Sequence, residues 1–288
     1  MAANVGSTFL RIVLGAELTR LRDRAGLTGS AAAVKAGCST STLSDVEQGK
    51  TGFRRIDHLS KLLKAYGVDE DGQELLMDWH RQAKGADWWT TSVSVLPSGM
   101  NLYLALESGA QRGSAWIPNV VYGLFQTEAY ARALIDSARA ANDTTTAFVE
   151  NAVEVRMNRQ KRITEEGMHL HCVMDESALR NMVGNSDIMK AQYQAISELA
   201  ALPNITIQVI PFKAPTYRVT GGEFTILDFD SKKLPGPVAA TSTVDSSLRI
   251  GSKHREVKGF VRRFEFLTQG ALPAYETPKF LEQLAREV

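Results

Sequence analysis

Leu10, Leu14, Leu18 and Leu21 stand four, four and three positions apart, so they line one face of a helix over residues 8 to 25 that Gly26 ends. Two shorter helical patterns follow between Thr28 and Gly49. Only Gly37 and Cys38 separate them, which leaves space for a tight turn between two crossing helices. Thr28 is placed to cap the first and Ser39 the second, because a hydroxyl there accepts a bond from a backbone N–H that the first turn leaves unpaired. Ala32, Ala33 and Ala36 keep the first helix thin on its inner side, and Leu43 and Val46 give the second one apolar stripe. Ile56, Leu59, Leu62, Leu63 and Tyr66 mark a fourth helix ended by Gly67. Asp69 opens a fifth with Leu75, Leu76 and Trp79 inward.

Beyond residue 85 the pattern changes. Gly85, Trp88-Trp89, Leu96-Pro97, Trp116-Ile117-Pro118 and the run Tyr122 to Thr127 set aromatic rings among turn formers. That reads as a connector packed onto a following domain, since an indole left in water forfeits a large burial term. Helices are expected over 102–112, from Thr127 through Ile135, and over 144–164. Residues 168–174 alternate with period two, Leu170, Cys172 and Met174 one way and His169, His171 and Val173 the other, as a strand does. A helix over 187–201, strands over 205–210, 223–229 and 238–244, a helix over 253–269 and a terminal helix after Pro278 complete the reading. The expected class is α+β: an all-α five-helix helix-turn-helix bundle over 1–84 and an α/β domain with a small sheet over 85–288.

The outer face of the second motif helix carries Thr40, Ser41, Thr42, Ser44 and Asp45. Short polar side chains suit a helix that enters a major groove and sets donors and acceptors against base edges. Thr28, Ser39, Lys50, Arg54 and Arg55 are placed to meet phosphates, with a solvated basic loop as the competing reading of the last three. Charge supports one basic end. The formal net charge of the 288 residues is +1, yet residues 1–64 hold ten Lys or Arg against five Asp or Glu. That excess is modest for double-stranded DNA, whose binding rests on phosphate neutralisation, so tight binding is expected only from a homodimer.

The run from Leu14 to Lys50 resembles the DNA-binding domain of XRE-type, phage-repressor-like regulators, in which the residues matching Ala33, Gly37, the pair Leu43 and Val46, and Glu47-Gln48-Gly49 recur. Two departures, Gly29 in place of a glutamine and Asp45 in place of a basic residue, imply weaker or altered DNA binding. Trp88-Trp89, Glu107, the run Ile117 to Leu134 and the run Leu202 to Phe212 resemble the C-terminal domain of actinobacterial XRE regulators. That resemblance implies a long domain of uncertain biochemical function, encoded beside small partner proteins, antitoxin-like, and linked to sporulation and antibiotic production. The shorter proline-glycine-leucine-leucine-glutamine run of that family is interrupted here by Asn119 to Tyr122.

Other constellations are weaker. Trp88, Trp89, Glu107, Trp116, Tyr122 and Phe125 are candidates to line a pocket for a small-molecule effector or a partner peptide, against the alternative that they are aromatic core. His169 and His171 share a strand face but have no adjacent third ligand, so no metal is expected. Asp245, Ser246, Ser247 and His254 have the residue types of a hydrolytic triad without its spacing, and no phosphate-binding glycine loop is present, so neither a cofactor nor catalysis is expected. Lys253, Arg255, Lys258, Arg262 and Arg263 read as a solvated basic helix face. Cys38 and Cys172 are 134 positions apart and outside any CxxC pair, and are expected as buried reduced thiols. The absence of an apolar run of about 18 residues and of a signal-peptide pattern implies no membrane and a cytoplasmic, nucleoid-associated protein. Three functions compete: a DNA-binding transcriptional regulator with a sensor domain, an antitoxin-like module that captures a small neighbouring-gene product, and an enzyme fused to a DNA-binding domain.

Overall fold

The computed structural model describes residues 5–139, 144–214, 222–229, 236–243 and 247–288, and of residues 93–95 the backbone. Val244 at the end of one expected strand, and Asp245 and Ser246 of the triad-type set, lie outside the described residues.

The N-terminal bundle consists of α1 (Ser7–Arg24), α2 (Gly29–Ala36), α3 (Thr40–Glu47), α4 (Ile56–Ala65) and α5 (Glu70–Gln82). Its caps are local chemistry. The side chains of Thr28, Ser39 and Asp69 accept from the N–H groups of Ala31, Thr42 and Gly72, and Gly37 leaves α2 at φ +73°. Leu14, Leu18, Ala32, Ala36, Leu43, Val46, Leu59, Leu62 and Leu63 close a core with almost no exposure. In α5 Leu76 is buried, whereas Leu75 and Trp79 are only half buried. Trp79 reaches both this core and the larger one.

The second domain contains α6 (Met100–Gly109), β1 (Arg112–Ile117), α7 (Glu128–Ser137), α8 (Thr146–Thr164), β2 (His169–Asp175), α9 (Glu176–Arg180), α10 (Ser186–Ala200), β3 (Ile205–Ile210), β4 (Phe224–Asp228), β5 (Val238–Ser242), β6 (Leu248–Gly251), α11 (His254–Gly270) and α12 (Thr277–Glu287). Its strands form one sheet in the order β3-β2-β1-β4-β5-β6. The first three run parallel, and β4, β5 and β6 are added antiparallel. Two expectations are corrected here. The helix expected over 102–112 stops at Gly109, and residues 112–117, read as connector, are the strand between the two halves of the sheet. The short β6 was likewise not expected from the sequence.

Alternation places Ala115, Ile117, Leu170, Cys172, Met174, Ile205, Ile207 and Val209 on one face, where they pack with Tyr103, Leu106, Tyr193, Ile196, Leu281 and Leu284. The other face carries Trp116, Val173, Ile210, Phe224 and Ile226, covered by Val257, Phe264 and Leu267 of α11. The two domains share α1. Phe9 stacks on Phe229 with centroids 5.3 Å apart, and Phe9 and Val13 belong to the core of the larger domain. Asp87 Oδ1 accepts from the N–H of Ser7 at 2.6 Å, and its Oδ2 from that of Thr8 at 3.1 Å. A division at 84/85 therefore runs through a packed contact rather than through a linker.

Candidate nucleic-acid interface

The position of α3 follows from two glycines. A Cβ on Gly15 would stand 2.4 Å from the carbonyl oxygen of Val46 and 2.6 Å from that of Glu47, so α1 crosses directly over the end of α3. Gly49, at φ +70°, would likewise bring a Cβ within 2.7 Å of the Ile12 Cα. Arg22 Nε then donates to Glu47 Oε1 at 2.8 Å, and that bond raises the Arg22 pKa. From the other side the ring Nδ1 of His58 in α4 donates to the Ala36 carbonyl at 2.8 Å, fixing the turn between α2 and α3. Both ends of the motif are held, and the outer face of α3 is left free.

That face carries the expected residues. Thr40, Ser41 and Thr42 are exposed, and Ser44 and Asp45 half-exposed. The Ser39 hydroxyl caps Thr42 N–H at 3.1 Å and lies 3.0 Å from Ser41 Oγ and 2.8 Å from Thr42 Oγ1. Three hydroxyls thus cluster at the N-terminus of α3, the part of a recognition helix that meets base edges. Gln48 Nε2 donates to Ser44 Oγ at 2.9 Å, so this exposed amide extends the polar row. In the sequence Gln48 stands within the closing Glu47-Gln48-Gly49, and its distance of four from Ser44 is the signal that the two meet.

The phosphate candidates differ in what they have to offer. Lys50, Arg54 and Arg55 are all exposed. Lys50 Nζ lies 3.8 Å from Asp45 Oδ1, a weak pair that partly neutralises it. Arg55 is held by Asp57 at 3.0 and 3.1 Å, a hydrogen bond that lowers the Asp57 pKa. Arg54 has no acidic partner among the described residues. Thr28 Oγ1 is engaged as a cap at 3.2 Å, and Gly29 has open space beside it. Beneath this loop the buried His80 faces Gly52, with both ring nitrogens unpartnered among the described residues. Burial lowers its pKa, assisted by Lys84.

The six residues proposed as a pocket do not come together around one cavity. Trp88 is half exposed and edge-on to Trp89 at 5.3 Å. Trp89 is buried with Leu104 and Val155, its Nε1 donating to Asn101 Oδ1 at 2.8 Å. Trp116 lies on the α11 face of the sheet, while Tyr122 and Phe125 lie on the opposite face, edge-on at 5.5 Å. Phe125 also lines a cavity of about 330 Å³ with Gln126, Thr127, Gln160, Ala195, Glu198, Leu199 and Leu202. Glu107 is buried and accepts both arms of Arg159, at 2.9 and 2.8 Å. Burial alone would lower the Arg159 pKa, but the charge and hydrogen bonds of Glu107 outweigh it and raise it. Arg162 caps the end of α6 by donating to the carbonyls of Glu107 and Ala110, at 3.1 and 2.7 Å.

The other candidates are either bonded to structural partners or exposed. His171 Nε2 bonds Gln208 Oε1 at 2.7 Å and lies edge-on to Phe264, while His169 is exposed. Ser247 bonds Thr243, and His254 is exposed. Lys253, just before α11, and Arg255, Lys258, Arg262 and Arg263 on it are exposed. Cys172 is buried and Cys38 half-buried, and burial raises both thiol pKa values. No helix among the described residues is long and apolar enough to cross a membrane.

A five-helix bundle with an exposed, capped α3 after a tight turn is a helix-turn-helix domain, the fold of DNA-binding regulators. Comparison with protein families agrees: a helix-turn-helix domain matches residues 13–76, and a domain of unknown function (DUF5753) matches residues 100–283. The second match spans more than half of the chain, which belongs to the DUF5753 family. No curated protein matches the sequence.

Proposed function

We infer that the protein is a sequence-specific transcriptional regulator of the XRE type, binding a pseudo-palindromic operator as a homodimer in the cytoplasm. The observation that carries this reading is the row Thr40, Ser41, Thr42, Ser44 and Asp45, held outward by contacts that engage only the inner side and ends of α3. Arg54 and Lys50 set register on the phosphates, and Thr40, Ser41 and Ser44 meet base edges. One module of modest positive charge has few phosphate contacts, and two half-sites held by one dimer gain affinity through effective concentration. The second domain acts as the receiver of a small effector or of a small protein encoded beside its gene, and carries out no chemistry of its own. Sequencing the genomic fragments that the purified protein retains is the test. One recurrent two-fold motif with half-sites one helical turn apart is expected; fragments without a shared motif would overturn sequence-specific binding.

A further inference from the structure

We propose that the second domain binds a small apolar molecule carrying an amino group, seated in the cavity between α8, α10 and the turn at residues 123–127, with its ammonium on Glu198 and Gln160. This rests on the reading of that domain as an effector receiver and says what the effector must carry.

The cavity measures about 330 Å³, roughly twice the ~150 Å³ that takes a benzene ring, and falls within the size of small-molecule sites. Its floor is apolar. Ala195 and Leu199, four apart on α10, and Leu202 just beyond that helix line it together with the buried Phe125, and the three aliphatic residues are only half buried. The turn that forms the other wall is held by the protein itself. Gln192, wholly buried, donates from Nε2 to the Phe125 carbonyl at 2.7 Å and accepts from the Thr127 N–H at 2.8 Å. A slot already in shape loses little order when a ligand enters it.

The polar atoms left over at this cavity are acceptors. Gln160 Nε2 donates to the carbonyls of Gly123 and Gln126, which orients the amide and leaves its Oε1 without a donor among the described residues. Glu198 receives one bond, at Oε1 from Gln194 Nε2 at 2.9 Å, and forms no ion pair with a described residue. The Gln126 amide is engaged at both ends, and Thr127 Oγ1 caps α7. No Lys, Arg or His is among the described residues that line the cavity. A carboxylate or phosphate entering here would meet a like charge and no cation, and a wholly apolar ligand would take water from two acceptors without replacing it. An ammonium brings three donors and the opposite charge, and its apolar body covers the floor.

The test titrates the full chain calorimetrically with phenethylamine and with tryptamine, each against the carboxylate of the same body, phenylpropionate and indolepropionate. Wild type is compared with Glu198→Gln and Ala195→Leu. The glutamine keeps an acceptor for Gln194 and removes the charge at an exposed position, and the leucine fills the floor. Wild type should bind at least one amine saturably, and about tenfold more tightly than its matching carboxylate. Glu198→Gln should melt with wild type and bring amine and carboxylate to within about twofold of each other, and Ala195→Leu should weaken the amine by about tenfold. Failure of both amines to saturate, equal affinity for amine and carboxylate on wild type, or an amine affinity untouched by either substitution would overturn the proposal. Duplex affinity is measured with and without the bound amine: an unchanged value would overturn the receiver reading and leave the amine site standing.

Discussion

At the scale of single residues, the charge that α3 shows to DNA is set by Asp45, which lies 3.8 Å from Lys50 Nζ. Asp45→Arg removes the carboxylate, frees Lys50 and adds a cation of its own. Non-specific duplex binding should tighten at low salt, and the slope of log K against log salt should steepen by about 1 to 2. An unchanged slope would place Asp45 away from the phosphates. Residue roles that depend on near neighbours were legible in the sequence. Thr28, Ser39, Asp69 and Thr127 cap the helices they precede because a cap needs only a hydroxyl or carboxylate three positions before an N–H. The pairing of Glu107 with Arg159 was not legible, since it depends on which charges the fold brings together.

At the scale of elements, the amphipathic helices were legible from their spacing, and β1 was not. The segment Arg112–Ile117 opens with Gly113, Ser114 and Ala115, which have no strand preference, and its Trp116-Ile117-Pro118 ending imitates a loop. It is a strand because β2 and β4 pair with it on both sides, a non-local cause. The close crossing of α1 over α3 was equally hidden and is testable. Gly15→Ala drives a methyl into two backbone carbonyls and should cost about 2 to 3 kcal/mol in urea unfolding. A loss under half a kcal/mol would mean that α1 shifts freely. In α5, the His80 pKa is depressed below its ordinary 6.5 in the fold. Below that value the unfolded chain takes up a proton that the folded chain refuses, so stability is full above about pH 6.5 and falls as the pH is lowered. Comparing urea midpoints of wild type and His80→Leu from pH 8 to pH 5 checks this. The wild-type decline should be the steeper, and parallel declines would assign it to other groups.

At the scale of the whole molecule, α1 belongs to both domains, with Leu14 and Leu18 in the bundle core and Phe9 and Val13 in the core under the sheet. Two period-matched blocks were legible as two domains, but helix periodicity cannot say which core each turn enters. Phe9→Ala should cost about 3 to 5 kcal/mol and lower the melting of the larger domain, not of the bundle alone. A fragment 85–288 should accordingly melt below one that begins at residue 5, and equal melting would make α1 dispensable to the sheet. The shared helix spans the contact of Phe9 with Gly109 at one end and the Gly15 crossing over α3 further along.

Regulation as proposed depends on contact between α3 and the base edges of duplex DNA. It is tested most directly by the affinity of wild type and Ser41→Ala for the best retained fragment and for a random duplex of equal length, across a salt series. A loss of about 1 to 3 kcal/mol on the selected fragment and a clearly smaller one on the random duplex is the predicted result. Equal losses on both, or no duplex binding by the wild type at low salt, would contradict it.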